Sequence, residues 1–125
     1  MLADRNALAT IAVKDLKAAK KFYGDTLGLK PEGNGDEEVQ VYRAGDSRVV
    51  VYRSQFAGTN QATAATWNLG DEVENVVNDL KRKGVGFEHY DMPGLTRKGD
   101  LHVAGNFKAA WFKDPDGNIL ALSSA

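Results

Sequence analysis

Two histidines and no cysteine bound the chemistry open to this chain. Without thiols there is no disulfide, no thiolate nucleophile and no cysteine-ligated zinc or iron–sulfur centre, so any metal would need nitrogen and oxygen donors. His89 lies in FEHYD beside Glu88 and Asp91, and His102 follows Asp100 by two positions. Adjacent residues on a strand point to opposite faces, so Glu88 and His89 diverge, and Asp100 with His102 offers only two donors. No metal and no other cofactor is expected. As proton carriers, His102, Asp91 and Asp100 are the candidates for a general base, with His102 foremost, but their spacing does not aim one at a reacting proton. Arg53 ends a stretch of valines and offers a planar guanidinium to a carboxylate or phosphate. Trp111 offers an aromatic wall, and Thr10, Thr66 and Asn68 offer neutral hydrogen bonds. No G-x-S-x-G elbow or phosphate loop is present, and Ser47 in GDS (45–47) sits in a hairpin turn without a placed base.

These residues need a scaffold, and 125 residues with 42% hydrophobic composition supply one domain, 1–125, with a genuine core. A net charge of −1 gives no general attraction to nucleic acid or anionic lipid. The basic runs Lys20-Lys21 and Lys81-Arg82-Lys83 fall towards helix ends, where cations complement the dipole. No run approaches the roughly 18 apolar residues of a membrane span, and charges interrupt the opening segment where a signal peptide needs an apolar block. The expectation is a cytoplasmic protein with neither membrane nor nucleic-acid partner.

Along the chain the same grammar occurs twice. LATIAV (8–13) reads as a strand; Asp15 is placed to cap a helix whose apolar residues Leu16, Ala19, Phe22, Tyr23 and Leu27 share a face, and Gly28 ends it. ATWNL (65–69) is followed by Asp71 with Glu74 in a capping-box arrangement, then Val73, Val76, Val77 and Leu80, then Gly84. A short extended piece and a hairpin follow each helix, at 39–54 and 108–124. The pattern predicts a pseudo-repeat of strand–helix–three strands over 1–57 and 62–125, each half needing a partner surface for its strands. The second half carries an insert, DMPGLTRKGDLHVAGN (91–106), predicted as an irregular binding loop that includes His102.

AVKDLKAAKKFYGDTLGL (12–29) and AWFKDPDGNILAL (110–122), with the duplicated order, resemble the vicinal oxygen chelate superfamily, which includes glyoxalase I, extradiol dioxygenases, fosfomycin resistance enzymes and bleomycin-resistance proteins. The resemblance implies an α+β fold of two βαβββ modules forming a curved mixed sheet around a cleft. It also implies, in metal-dependent members, a divalent cation held by the first and last strands of each half. Those positions fall here on Leu8, on Ala64 or Ala65, on Val49 or Val51, and on Ala121, all without lone pairs to offer. The expectation is a metal-independent small-molecule binder that sequesters or carries an aromatic or amphipathic ligand. Leu8, Thr10, Val49, Val51, Arg53, Thr66, Asn68, His102, Trp111 and Ala121 are placed in contact with it. A metal-free isomerase or lyase is the alternative, a metal-dependent glyoxalase or dioxygenase a weaker third. The resemblance also implies a homodimer.

Overall fold

Asp15 accepts the Lys17 backbone N–H at 3.0 Å and so starts the first helix, α1, at Leu16–Ala19. Over Lys20–Thr26 the helix widens, and the Leu27 N–H reaches back five residues to the Phe22 carbonyl at 2.9 Å. Gly28, at φ +76°, closes it in the left-handed region that favours glycine. The computed structural model describes residues 1–125, in two compact units, Met1–Thr59 and Asn60–Ala125.

In the first unit β1 (Ala9–Val13), β2 (Lys30–Glu32), β3 (Val39–Ala44) and β4 (Ser47–Arg53) form a four-stranded sheet in the order β1-β4-β3-β2. β1 runs parallel to β4, the crossover that a strand–helix–strand connection requires, and the remaining pairs are antiparallel. α1 packs against β4, and the Tyr23 and Tyr42 rings meet at 6.3 Å, which marks the covered face of the sheet. Ile11, Val13, Tyr42, Val49 and Val51 are buried on that face. Each of these apolar side chains contributes about 1.5–3 kcal/mol by leaving water.

The second unit holds β5 (Thr63–Asn68), α2 (Val73–Arg82), β6 (Phe87–Glu88), β7 (Thr96–Lys98), β8 (Leu101–Ala104), β9 (Phe107–Lys113) and β10 (Ile119–Ser123). The sheet order is β5-β10-β9-β8-β7, with β6 also on β9. α2 buries Val73, Val77 and Leu80 and packs against β9. Lys108 of β9 pairs with Glu74 of α2, so the face carrying Lys108, Ala110 and Phe112 is the helix-covered one. Trp67, registered with Leu122, belongs to that face too. The turn between β9 and β10 is built on Asp114, which is buried and accepts from the backbone of Asp116 (2.9 Å) and Asn118 (2.8 Å) and from Asn118 Nδ2 (2.8 Å).

Two sequence expectations change. Asp71 does not cap α2: it lies in a single tighter turn, Gly70–Glu72, the helix begins at Val73 without a side-chain cap, and Glu74 is drawn to Lys108 instead. The insert 91–106 is not an irregular loop. It folds into the β7–β8 hairpin, turning at Gly99 with φ +62°, and extends the sheet to its far edge.

Candidate functional site

Strand register decides which side chains share a face. In the first unit Thr10 pairs with Val50 and Ala12 with Tyr52, and Val50 in turn faces Val41 across β3. This surface has no helix of its own unit on it. Val49 and Val51, expected beside Thr10, instead pair with Ala9 and Ile11 on the face under α1, where they are 4% and 0% exposed. They have no access to a ligand on the open face.

Arg53, registered with Val13, follows them to the helix side, and its Nη2 sits 2.5 Å from Glu38 Oε1. There it borders a polar cavity of about 650 Å3 with Lys14, Lys17, Lys20, Asp36 and Gln40. Two acids bordering that cavity already serve the backbone: Asp15 caps α1, and Asp36 accepts from Glu38 N (2.8 Å) and Val39 N (2.9 Å). The cavity is a polar surface whose neighbouring groups hold the chain together.

In the second unit Ala121 pairs with Thr66 on one side and Trp111 on the other, and Ser123 with Asn68 and Ala109. His102 pairs with Ala109 from β8. The register therefore brings Thr66, Asn68, His102, Trp111 and Ala121 to one face, the one away from α2. Comparing the units strand for strand, Val50 stands between Thr10 and Val41 as Ala121 stands between Thr66 and Trp111. The last-strand position of the first unit is thus Val50, and Leu8, two residues before Thr10, corresponds to Ala64. The positions that the resemblance implies for metal ligands are thus Leu8 and Val50 in the first unit and Ala64 and Ala121 in the second. Neither pair offers a lone pair to a divalent ion, and no group of three or more His, Asp or Glu side chains that could hold a metal forms elsewhere.

The Ala121 position is not bare. Trp111 Nε1 donates to Thr63 Oγ1 at 3.2 Å. Trp111 is on β9 and Thr63 on β5, with β10 between them, so the indole crosses β10 beside Ala121, which is 4% exposed. Tyr90 and His102 close on the same indole edge to face, with ring centroids 5.6 and 4.8 Å away. Tyr90 has no counterpart among the sequence candidates. FEHYD reads as a surface strand end, and only the pairing of β6 with β9 brings Tyr90 to Trp111.

His102 is 1% exposed, and its Nε2 accepts the Tyr90 backbone N–H at 2.9 Å. The nitrogen needed to take a proton is engaged, which argues against a base at this position. Asp100 is engaged too, with His89 Nε2 at 2.8 Å and Lys81 Nζ at 2.7 Å. The Lys81 and His89 hydrogen bonds hold its carboxyl below the usual range, while burial pushes the Tyr90 phenol up. Leu8 and Thr10 are exposed at the start of β1, where Thr10 Oγ1 donates to the Leu8 carbonyl at 3.2 Å.

The comparisons with known proteins agree with this fold. The bleomycin-binding protein of Streptomyces verticillus, solved with copper(II)-bleomycin, superposes with a TM-score of 0.70 at 22% identity, covering 97% of this chain and 96% of that one. The lactoylglutathione lyase of Agrobacterium tumefaciens gives 0.67 at 18% identity, with 95% and 93% covered. The fosfomycin resistance protein FosX of Mesorhizobium loti gives 0.69 at 10% identity, with 98% and 92% covered. At these identities the likeness is one of fold. No curated protein matches the chain in sequence. The family pattern itself covers residues 6–122, and the chain belongs to the Glyoxalase/Bleomycin resistance protein/Dioxygenase superfamily.

Proposed function

We propose that the protein is a metal-independent binder of an aromatic or amphipathic small molecule, which it sequesters or carries on the open sheet face of its second unit. The observation that carries this reading is the pairing of Ala121 with Trp111: a small apolar residue beside an indole stands where the resemblance implies a metal ligand. A half-buried aromatic with exposed Thr66 and Asn68 at the margin suits a ligand that is mostly apolar and carries a few polar groups. The S. verticillus protein, solved with copper(II)-bleomycin, shows that the fold can hold a small-molecule ligand.

The test is thermal denaturation with metal-free bleomycin and with 8-anilinonaphthalene-1-sulfonate, each in the presence and absence of a chelator. A ligand that binds only the folded state at about 100 times its Kd stabilises by about 2.7 kcal/mol. The expected result is a shift that the chelator leaves unchanged. A stabilisation seen only with a divalent metal, and lost on chelation, would reverse the reading.

No helix is long and apolar enough to cross a membrane. A cytoplasmic location belongs to the same proposal. So does a two-fold homodimer, the commonest arrangement among soluble oligomers. A monomer mass by sedimentation at micromolar concentration would remove the dimer.

A further inference from the structure

We propose that Tyr90 and His102 are positioning residues that hold Trp111 as a fixed stacking wall for a planar conjugated ring. This rests on the small-molecule reading above and narrows its ligand to flat aromatic molecules.

The indole is held from three directions. Thr63 accepts its N–H at 3.2 Å from the far side of β10. The Tyr90 ring meets it at 5.6 Å with planes 72° apart, and the His102 ring at 4.8 Å with planes 87° apart. His102 is fixed in turn, because Nε2 accepts the Tyr90 backbone N–H at 2.9 Å. An imidazole that accepts at Nε2 carries its proton, when neutral, on Nδ1. His102 Nδ1 is buried and meets no nitrogen or oxygen partner. The imidazole stands edge to face with the indole, with ring centroids 4.8 Å apart.

The same fixation makes Trp111 a good recognition surface. An aromatic side chain already locked in one rotamer loses little further freedom when a ligand stacks on it, so more of the contact energy appears as affinity. The neighbours on its own face, Ala109 along the strand and Ala121 across it, are 2% and 4% exposed, so the half-buried indole itself is the surface a ligand meets. A flat ring matches an indole face over more of its area than a puckered saturated one does. Trp111 itself is half-buried, so part of its surface remains open.

Replacing Trp67 by Phe leaves Trp111 as the single fluorescent reporter, since the chain has two tryptophans. In that background the free protein is studied first. Time-resolved anisotropy should show the indole tumbling with the whole protein, and imidazole 15N shifts should show the Nδ1–H form of His102. His102→Gln retains an acceptor without the ring, and Tyr90→Leu removes the phenol; both should release a fast local motion of the indole. Naphthalene-2-carboxylate should then quench Trp111 in the parent and lose about tenfold in affinity in each variant. Its saturated counterpart, decahydronaphthalene-2-carboxylate, should bind at least tenfold more weakly than the naphthoate.

An indole already mobile in the parent overturns the positioning roles whatever the ligands do. Folded variants with a freed indole but unchanged naphthoate affinity overturn the link between fixation and binding. Equal affinity for the flat and saturated acids overturns the ligand class while leaving small-molecule binding intact. No binding of either acid, of bleomycin or of anilinonaphthalene sulfonate removes the function on which the proposal rests.

Discussion

A glutamate at position 121 would have to share its space with the indole that crosses β10 to reach Thr63 Oγ1. Ala121→Glu is therefore predicted to destabilise the protein by about 2 kcal/mol, through overpacking and an unpaired buried carboxylate. Denaturant titration measures the loss. Calorimetry with manganese or nickel should detect no metal affinity gained, because the other strand positions offer no donors. Trp111→Ala should raise the Kd for bleomycin at least tenfold, measured by calorimetry. At this scale the sequence was legible where side chains differ from their neighbours. Trp111 and Phe112 alternate clearly, so Trp111 could be given a face. Val49, Val50 and Val51 are identical, so nothing in the run marks which residue points towards the helix. Only the pairing of Ile11 with Val51 sets that phase. Tyr90 was invisible because its meaning depends on a long-range strand pair.

Elements were legible where a local group fixes the backbone. Asp15, Gly28 and Gly84 mark helix ends by their own hydrogen bonding or left-handed φ, and DPDGN states its turn through Asp114. Asp114→Ala strips three acceptor contacts from a buried turn and should lower stability by about 3 kcal/mol, read from the denaturation midpoint. The β7–β8 hairpin escaped notice because Gly94, Gly99 and Gly105 divide the insert into pieces too short to show a period of two. That hairpin is anchored by Asp100, which links His89 and Lys81. Its carboxyl is held low in the folded state, so the stabilisation is complete above the ordinary carboxylate range and disappears as pH falls through the lowered value. Asp100→Asn should cost about 1 kcal/mol near neutrality and leave a protein whose stability falls less between pH 5 and pH 3 than that of the parent, as followed by thermal melts across that range.

Over the molecule as a whole, both units carry a helix on one sheet face only. In the first unit the other face presents Val39, Val41, Val50 and Tyr52, of which Tyr52 is 38% exposed. Four apolar or aromatic side chains on a flat strand surface invite contact with another copy, so Tyr52→Lys is predicted to shift the intact chain towards monomer, as read by sedimentation at micromolar concentration. The fold class was legible at this scale because a repeated order of elements restricts topology strongly, whereas the chemistry depends on single residues that the fold leaves free to change.

The hydrogen bond from Trp111 to Thr63 has a mechanical meaning as well. β5 lies at the sheet margin and pairs only with β10, yet a side chain rooted two strands inward is fastened to its first residue. Peeling of that outer strand requires the indole to let go, so deuterium uptake at the Trp67 and Leu69 amides, whose register turns them towards β10, becomes a clock for the state of a ring several ångströms away.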